Sequence, residues 1–313
     1  MVRTPDRADV ERARKRLAGR IRRTPVLEVT EGLGGRPNPL VLKLELLQQT
    51  GSFKVRGALN RLLGAEIPRA GVVAASGGNH AAAVAYAASK LGVTARVFMP
   101  ARASAAKVAR VRGYGVEPVL GGAAYADARA AALAEASRTG ALDVPAFDDA
   151  EVVAGQGTVA LELAEQAPFG TLVVAVGGGG LAAGCAAALT GSGVRIVAVE
   201  TPGTRSLHAA LEAGTPVDVE VSGLAADSLG ARRIGELPFA ILQRAVERVV
   251  LVEDDVLLAA QRTLWESCRV LAEPGGAAAL AAWLSGQVSA RDGERIGIVI
   301  CGGNVNPGSV VLE

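Results

Sequence analysis

Aromatic residues are scarce: Phe, Tyr and Trp together make up 3% of the 313 residues. A core with so few rings has to be filled by Ala, Gly, Val and Leu, which dominate here. Cores of that kind suit strands and helices packed at close range in an α/β protein. Cysteine is almost absent too. Cys185, Cys268 and Cys301 are odd in number, widely spaced and form no CxxC. That excludes a disulfide framework and a Cys-rich zinc site, and it fits a reduced, cytoplasmic protein. No excess charge of one sign exists: 33 Lys and Arg face 31 Asp and Glu, leaving +2. This argues against nucleic acid as a partner. His80 and His208 are the only histidines, and no GxSxG occurs. The nucleophile elbow of a Ser-His-Asp hydrolase is therefore missing. No secretory signal peptide is evident in the first residues.

Half of the residues are hydrophobic and 20% are charged, the balance of a soluble globular chain. The length fits one large domain or two ordinary ones, with a core that needs no staples. Gly71–Ser89 and Thr171–Val194 are uncharged and approach the length of a membrane span. Each is broken by a Gly-rich turn, so strand, turn and buried helix is the better reading, with no membrane partner. The dense basic run from Arg12 to Arg23 reads as the solvated face of a first helix.

Short apolar runs alternate with helical patterns. The runs Val72–Ala75, Ala95–Met99, Val116–Leu120, Leu172–Val176, Ile196–Val199 and Ile296–Ile300 read as strands. His80–Leu91, Lys107–Arg112, Tyr125–Thr139 and Gly184–Leu189 read as helices. This alternation implies right-handed crossovers and largely parallel sheets. Ligands in such sheets sit beyond the carboxyl ends of the strands. Three turns there are Gly-rich: Ser76–His80, Gly177–Gly180 and Cys301–Asn304.

Val176–Gly184 reads VGGGGLAAG, between a strand and a helix. Free amides at a helix N-terminus bind phosphate, and glycine lets the backbone come close. Four successive glycines cost backbone entropy with no packing gain, which argues for a ligand. Two ligands fit. Gly177-x-Gly179-x-x-Ala182, with Glu200 at the end of the next strand as a ribose acid, matches the dinucleotide fingerprint of an NAD-dependent dehydrogenase. A single phosphate ester is the other reading. Upstream, Lys54 lies among Phe53, Val55, Leu44, Leu46 and Leu47. A lone lysine is most often a surface charge, whereas one in an apolar setting has a lowered pKa and serves as a Schiff-base amine or base.

TGSFKVRGA, ASGGNH, AGQGT, VGGGGLAAG and CGGN follow in this order. Together they resemble the fold-type-II pyridoxal-phosphate enzymes, in the branch of serine/threonine dehydratases and serine racemases. The resemblance extends from Thr24-Pro25 to Asn304, through Phe98–Leu120 and Phe147–Thr158. It implies two open, twisted, mainly parallel sheets flanked by helices, as in the tryptophan synthase β fold. The large domain would hold 1–47 and 148–313, and the small domain 48–147, closing over substrate. Lys54 would be the Schiff-base lysine and then the base at Cα, and Phe53 would pack on the pyridine ring. Asn79 would bind the ring 3′ oxygen, and Gly177, Gly178, Gly179, Gly180 and the Leu181 amide the phosphate. Ser76, Gly77, Gly78, Asn79 and His80 would bind the substrate carboxylate through backbone amides. Cys301 would face the pyridine nitrogen as a neutral thiol, a weaker partner than Asp, which suits β-elimination better than transamination. The implied reaction is dehydration and deamination of L-threonine or L-serine to a 2-oxo acid and ammonia. A homodimer is implied as well.

Some residues depart from the family pattern. Serine racemases carry a second serine where Gly77 stands, so one-faced chemistry is expected here. Their divalent metal uses a Glu, matched by Glu200, and an Asp six residues on, where this chain has Ser206. No divalent site is expected, and a monovalent cation is left open. Arg232 or Arg233 could grip a second substrate carboxylate, as in a hydroxyaspartate. The chain ends soon after CGGN, so no regulatory domain of the biosynthetic kind is expected.

Overall fold

The computed structural model describes residues 3–311, so the outermost residues of the expected large domain, 1–2 and 312–313, lie outside the described residues. The chain begins with α1 (Arg7–Leu17), β1 (Val26–Val29), β2 (Leu40–Lys43) and α2 (Lys54–Leu63). A run of alternating elements follows: β3 (Val72–Ala75), α3 (Asn79–Leu91), β4 (Ala95–Met99), α4 (Ala105–Arg112), β5 (Val119–Leu120), α5 (Tyr125–Thr139) and β6 (Leu142–Asp143). Next come α6 (Ala150–Gln166), β7 (Thr171–Ala175), α7 (Gly180–Leu189), β8 (Arg195–Glu200) and α8 (Ser206–Ala213). The last part holds α9 (Ala226–Leu229), α10 (Glu236–Ala245), β9 (Arg248–Leu251), α11 (Asp254–Cys268), α12 (Pro274–Leu284), β10 (Ile296–Val299) and α13 (Gly308–Val311).

The strands form two sheets. One has six strands in the order β1-β2-β10-β7-β8-β9, and the other has four in the order β5-β4-β3-β6. Every pairing is parallel except β1 with β2. Parallel strands covered by helices on both faces read as unbroken apolar runs, which is why VVAA of β3 and TLVVA of β7 are buried throughout. Among the described residues no helix is long and apolar enough to cross a membrane. The two uncharged stretches are strand, glycine turn and helix, as read.

The strand expected over 116–120 keeps only Val119–Leu120, since Pro118 has no N–H for the ladder. The helix expected from Gly184 starts at Gly180, so the last glycine of the run lies in its first turn. β1, β2 and β9 were not among the expected strands; each has four residues, and the two edge strands carry a charged exposed side chain. The basic run is more than a solvated face. Arg14 and Arg23 pair with Glu165, and Arg16 reaches Glu151 at 2.7 Å, so α1 is tied to α6.

Two contacts fix α2, which carries Lys54. The first is glycine packing against α6, which in turn packs on α7. A Cβ on Gly57 would lie 2.8 Å from the Val152 carbonyl, and one on Gly184 would lie 2.5 Å from the Gly157 nitrogen. The three helices meet backbone to backbone. The second contact is a buried ion network. Arg56 is wholly buried and uses all five of its N–H donors: on both Glu45 oxygens, both Glu162 oxygens and Thr158 Oγ1, at 2.7–3.0 Å. Lys43, also wholly buried, donates to Glu162, Gln166 and the Thr24 carbonyl at 2.7–2.9 Å.

Breaking a buried ion pair from one side leaves an uncompensated charge and costs about 3–5 kcal/mol. Arg56→Met strands Glu45 and Glu162, so its urea unfolding midpoint should fall by that much stability. A midpoint equal to that of the parent would refute this account of α2.

Candidate active site

Each of the three Gly-rich turns leaves the carboxyl end of its strand, β3, β7 or β10. Lys54 is the first residue of α2, directly after Phe53. Ser52 bridges Gly302, and the Phe53 N–H donates to the Cys301 carbonyl at 3.1 Å. The lysine is thus stitched to the β10 turn. Its Nζ donates to the Ala146 carbonyl at 2.7 Å and lies 5.2 Å from the Phe53 ring centre. Desolvation lowers its pKa from 10.5 to about 8, against the opposing pull of Cys301 and Glu273.

Phe147, next to that carbonyl, joins Lys54 to the second turn. A Cβ on Gly178 would overlap the Phe147 ring, and one on Gly180 would fall 2.9 Å from the Phe147 Cβ. Gly179 has φ +89° and would clash with Pro238. The glycine run therefore has a packing reason, contrary to the reading from sequence. It has a ligand reason as well. α7 has no side-chain cap, and among the described residues the amides of Gly178 to Ala182 meet no acceptor. Ser206 Oγ fixes the loop from outside, donating to the Gly177 carbonyl at 2.7 Å.

The third turn, Ser76–His80, opens α3. Ser76 N–H donates to the Phe98 carbonyl, and Gly78 N–H to Ser76 Oγ at 3.1 Å. The Gly77, Asn79 and His80 amides meet no acceptor among the described residues, and α3 has no side-chain cap. His80 Nε2 donates to the Val144 carbonyl at 2.9 Å. Burial holds its pKa near about 3, so its ring stays neutral. Asn79 Nδ2 donates to Glu273 at 2.6 Å, and Asn304 Nδ2 donates to Asn79 Oδ1 at 2.7 Å. Cys301 is buried, and burial pushes its thiol above the ordinary range; Sγ donates to the Gly275 carbonyl at 3.3 Å.

Reading the sequence missed Glu273 and Phe147 as parts of this site and gave Asn304, in the β10 turn, no role of its own. Glu273-Pro274 did carry a signal, since proline favours the first position of a helix. One other expectation needs correcting. Glu200 is not free to bind a ribose. It is fully buried, and its oxygens accept from the Leu207 and His208 amides at 2.8 and 2.9 Å, capping α8. Burial raises its pKa to about 8. Arg232 and Arg233 are exposed and lie 3.2–3.7 Å from Asp218 and Glu236. Among the described residues no group of three His, Cys, Asp or Glu could hold a metal.

A neutralisable lysine, a row of free amides at one helix N-terminus and a second row at another would suit an enzyme that holds a phosphorylated carbonyl and an anionic substrate together. The matching family model, described as pyridoxal-phosphate dependent enzyme, spans residues 17–302. The chain belongs to that family, its fold is fold type II, and its cofactor is pyridoxal phosphate. The nicotinamide reading falls with this and with the burial of Glu200. The L-threonine ammonia-lyase of Geobacter sulfurreducens is 41% identical over 97% of this chain and 77% of its own. The structure of maize serine racemase is similar with a TM-score of 0.92 at 34% identity, over 98% of this chain and 96% of that one. The threonine deaminase of T.th. gives 0.89 at 37%, over 96% and 99%. The chain spans about half the length (54–56%) of four biosynthetic threonine dehydratases that it also matches, and 71% of that of Mycobacterium leprae.

Pyridoxal phosphate fits the donor set: amides of the β7 turn for the phosphate, and an unprotonated Lys54 for the aldehyde. Gly179→Ala forces a side chain into a left-handed position, a strain of about 1–3 kcal/mol. If the loop shifts to relieve it, cofactor affinity should drop by about tenfold; titration of the apoenzyme reads this, and an unchanged Kd would count against the cradle. The lysine also gives a pH dependence. Only the neutral amine attacks an aldehyde, and Lys54 is charged below about 8. The rate at which apoenzyme gains visible absorbance with pyridoxal phosphate should rise with pH and level off above about 8, with no gain for Lys54→Ala. A rate still climbing near 10.5, the ordinary lysine value, would refute the shift.

Proposed function

We propose that the protein is an ammonia-lyase acting on a small β-hydroxy amino acid, L-threonine or L-serine. It yields a 2-oxo acid and ammonia. The observation that carries this reading is Lys54, a lysine with a lowered pKa whose charge is felt by His80, in the turn whose second residue, Gly77, has no side chain. The names of the Geobacter sulfurreducens and T.th. relatives support it.

The free amides of the Ser76–His80 turn hold the substrate carboxylate, since a helix N-terminus favours an anion. The Gly177–Gly180 turn and the Leu181 amide hold the cofactor phosphate. Asn79 turns its free N–H to the ring oxygen, Phe53 flanks the ring, and Cys301 faces the ring nitrogen. Bound pyridoxal phosphate supplies the electron sink that makes the Cα proton acidic. Lys54 removes that proton, and its hydrogen bond to the Ala146 carbonyl sets where the amine sits beforehand. The hydroxyl then leaves from Cβ with a proton, as water. The enamine hydrolyses after release, so the water lost is regained and ammonia departs. On this reading 48–147 form the small domain and the flanking segments the large one, and the enzyme is a cytoplasmic homodimer.

The likeness to maize serine racemase favours a second reading, racemisation. A second acid or base on the opposite face would be needed, and Gly77 offers none. The hydroxyaspartate reading asks Arg232 or Arg233 to leave an exposed pairing with Asp218 or Glu236. Purified enzyme given L-threonine or L-serine should release 2-oxo acid and ammonia in equal amounts, and Lys54→Ala should release neither. Steady formation of D-serine from L-serine without ammonia would replace this reading with the racemase one.

A further inference from the structure

Glu273 stands just before α12, with Pro274 at the first helical position. Its carboxylate lies beside three of the turns' residues. Asn79 Nδ2 donates to Oε1 at 2.6 Å. Its own N–H donates to the Gly302 carbonyl at 3.1 Å. A Cβ on Gly302 would overlap Oε1, so the glycine there makes room for the acid. Asn304 Nδ2 divides its two N–H groups between the Thr50 carbonyl, at 2.8 Å, and Asn79 Oδ1, at 2.7 Å.

This chain of bonds has a direction. A side-chain amide has two flip states that differ only in which end donates. The Thr50 carbonyl at one end accepts only, so it fixes Asn304. The Glu273 carboxylate at the other end also accepts only, so it fixes Asn79. A flipped Asn79 would set its oxygen 2.6 Å from a carboxylate oxygen and its NH2 against the NH2 of Asn304. In the observed state one N–H of Asn79 is left without a partner among the described residues.

We infer that Glu273 is a positioning residue: its carboxylate holds the Asn79 amide in one flip state and so presents the free N–H of Asn79 to the ring oxygen of the cofactor. This rests on the reading of Asn79 given above. The lock needs the ionised acid, because a protonated carboxyl can donate as well as accept. Desolvation pushes the Glu273 pKa up to about 7, opposed by Asn79, by Arg110 and Lys107 of α4, and by the Asn304 amide. Lys54 on α2 and Cys301 in the β10 turn also feel its charge. The lock is therefore present above about pH 7 and loosens below it.

Glu273→Gln keeps size and shape but can either donate or accept, so it removes the lock alone. In the holoenzyme the visible absorption band should shift relative to the parent. The change in that spectrum as the parent is acidified through about pH 7 should vanish in the variant. The Kd for pyridoxal phosphate should rise by about tenfold, the scale of one hydrogen bond to a charged group. Glu273→Asp keeps an acceptor-only end and should recover part of each effect. A role in holding α12 alone would lower thermal stability without moving the spectrum. Asn304→Ala frees the other side of Asn79 from a surface loop and should shift the same band, which serves if Glu273→Gln fails to fold. A folded variant with the parental spectrum at every pH and a Kd within about twofold overturns the inference. All of these are read without substrate. Failure of the lyase reading would appear instead as no 2-oxo acid from a parent enzyme whose cofactor spectrum is intact.

Discussion

Arg56 is the constraint on which the position of the reactive lysine depends. It lies two residues after Lys54, on the same first turn of α2, and it is wholly buried. All five of its N–H groups are used, and the acceptors come from the segment after β2 and from α6. Replacing such a network with apolar residues is often neutral or stabilising, so stability does not explain it. Geometry does. A planar guanidinium gripped from both sides by carboxylates tolerates little rotation. The helix that carries it is fixed about its axis, and the lysine one half-turn earlier is fixed with it. Lys43 completes the set by neutralising the second glutamate, so two positive and two negative charges lie together. No single member can be lost without stranding another.

Glycine packing sets the next distance. Lys54 opens α2, the free amides open α7, and α6 lies between the two helices. Gly57 and Gly155 meet at one contact, and Gly157 and Gly184 at the other. Side chains at these places would push the helices apart and lengthen the span from amine to amides. A cofactor with a fixed separation between aldehyde and phosphate would no longer be held at both ends. The scarcity of aromatic residues, which first seemed a matter of core filling, follows from the same need. Rings keep backbones apart, and here the backbones have to touch.

Which parts could be read from the sequence follows from the range of the interaction involved. The three turns were legible because strand, glycines and helix are local signals. Lys54 was legible because its neighbours in the chain are apolar. Glu273, Glu45 and Glu162 were not, since their partners lie 194, 11 and 106 residues away in the chain. A carboxylate is read as exposed unless its partner is known, and only folding brings the partner. Glu200 shows the same limit: the α8 amides that bury it reach it only because the chain turns back at Pro202–Thr204. β1 and β9 escaped because an edge strand of four residues with one charge has no clear period.

The chemistry proposed for the site depends as much on groups it lacks as on those it holds. Gly77 is not demanded by packing. A Cβ there would meet only Pro100, at 3.5 Å, an ordinary contact, and the backbone is not left-handed. The glycines of the β7 turn are different, since theirs would clash. A side chain at 77 is thus physically permitted and absent, so on the proposed reading this position offers Lys54 no partner base. Cys301 makes a parallel point. Its thiol is buried, stays neutral and donates to the Gly275 carbonyl. Beside a cofactor ring nitrogen, a group of that kind would give little help in holding a proton there, and the ring would be a weaker electron sink. With one base and a shallow sink, the charge left by deprotonation has its easiest exit through the β-substituent. Elimination then follows from the same two residues that make racemisation and transamination hard.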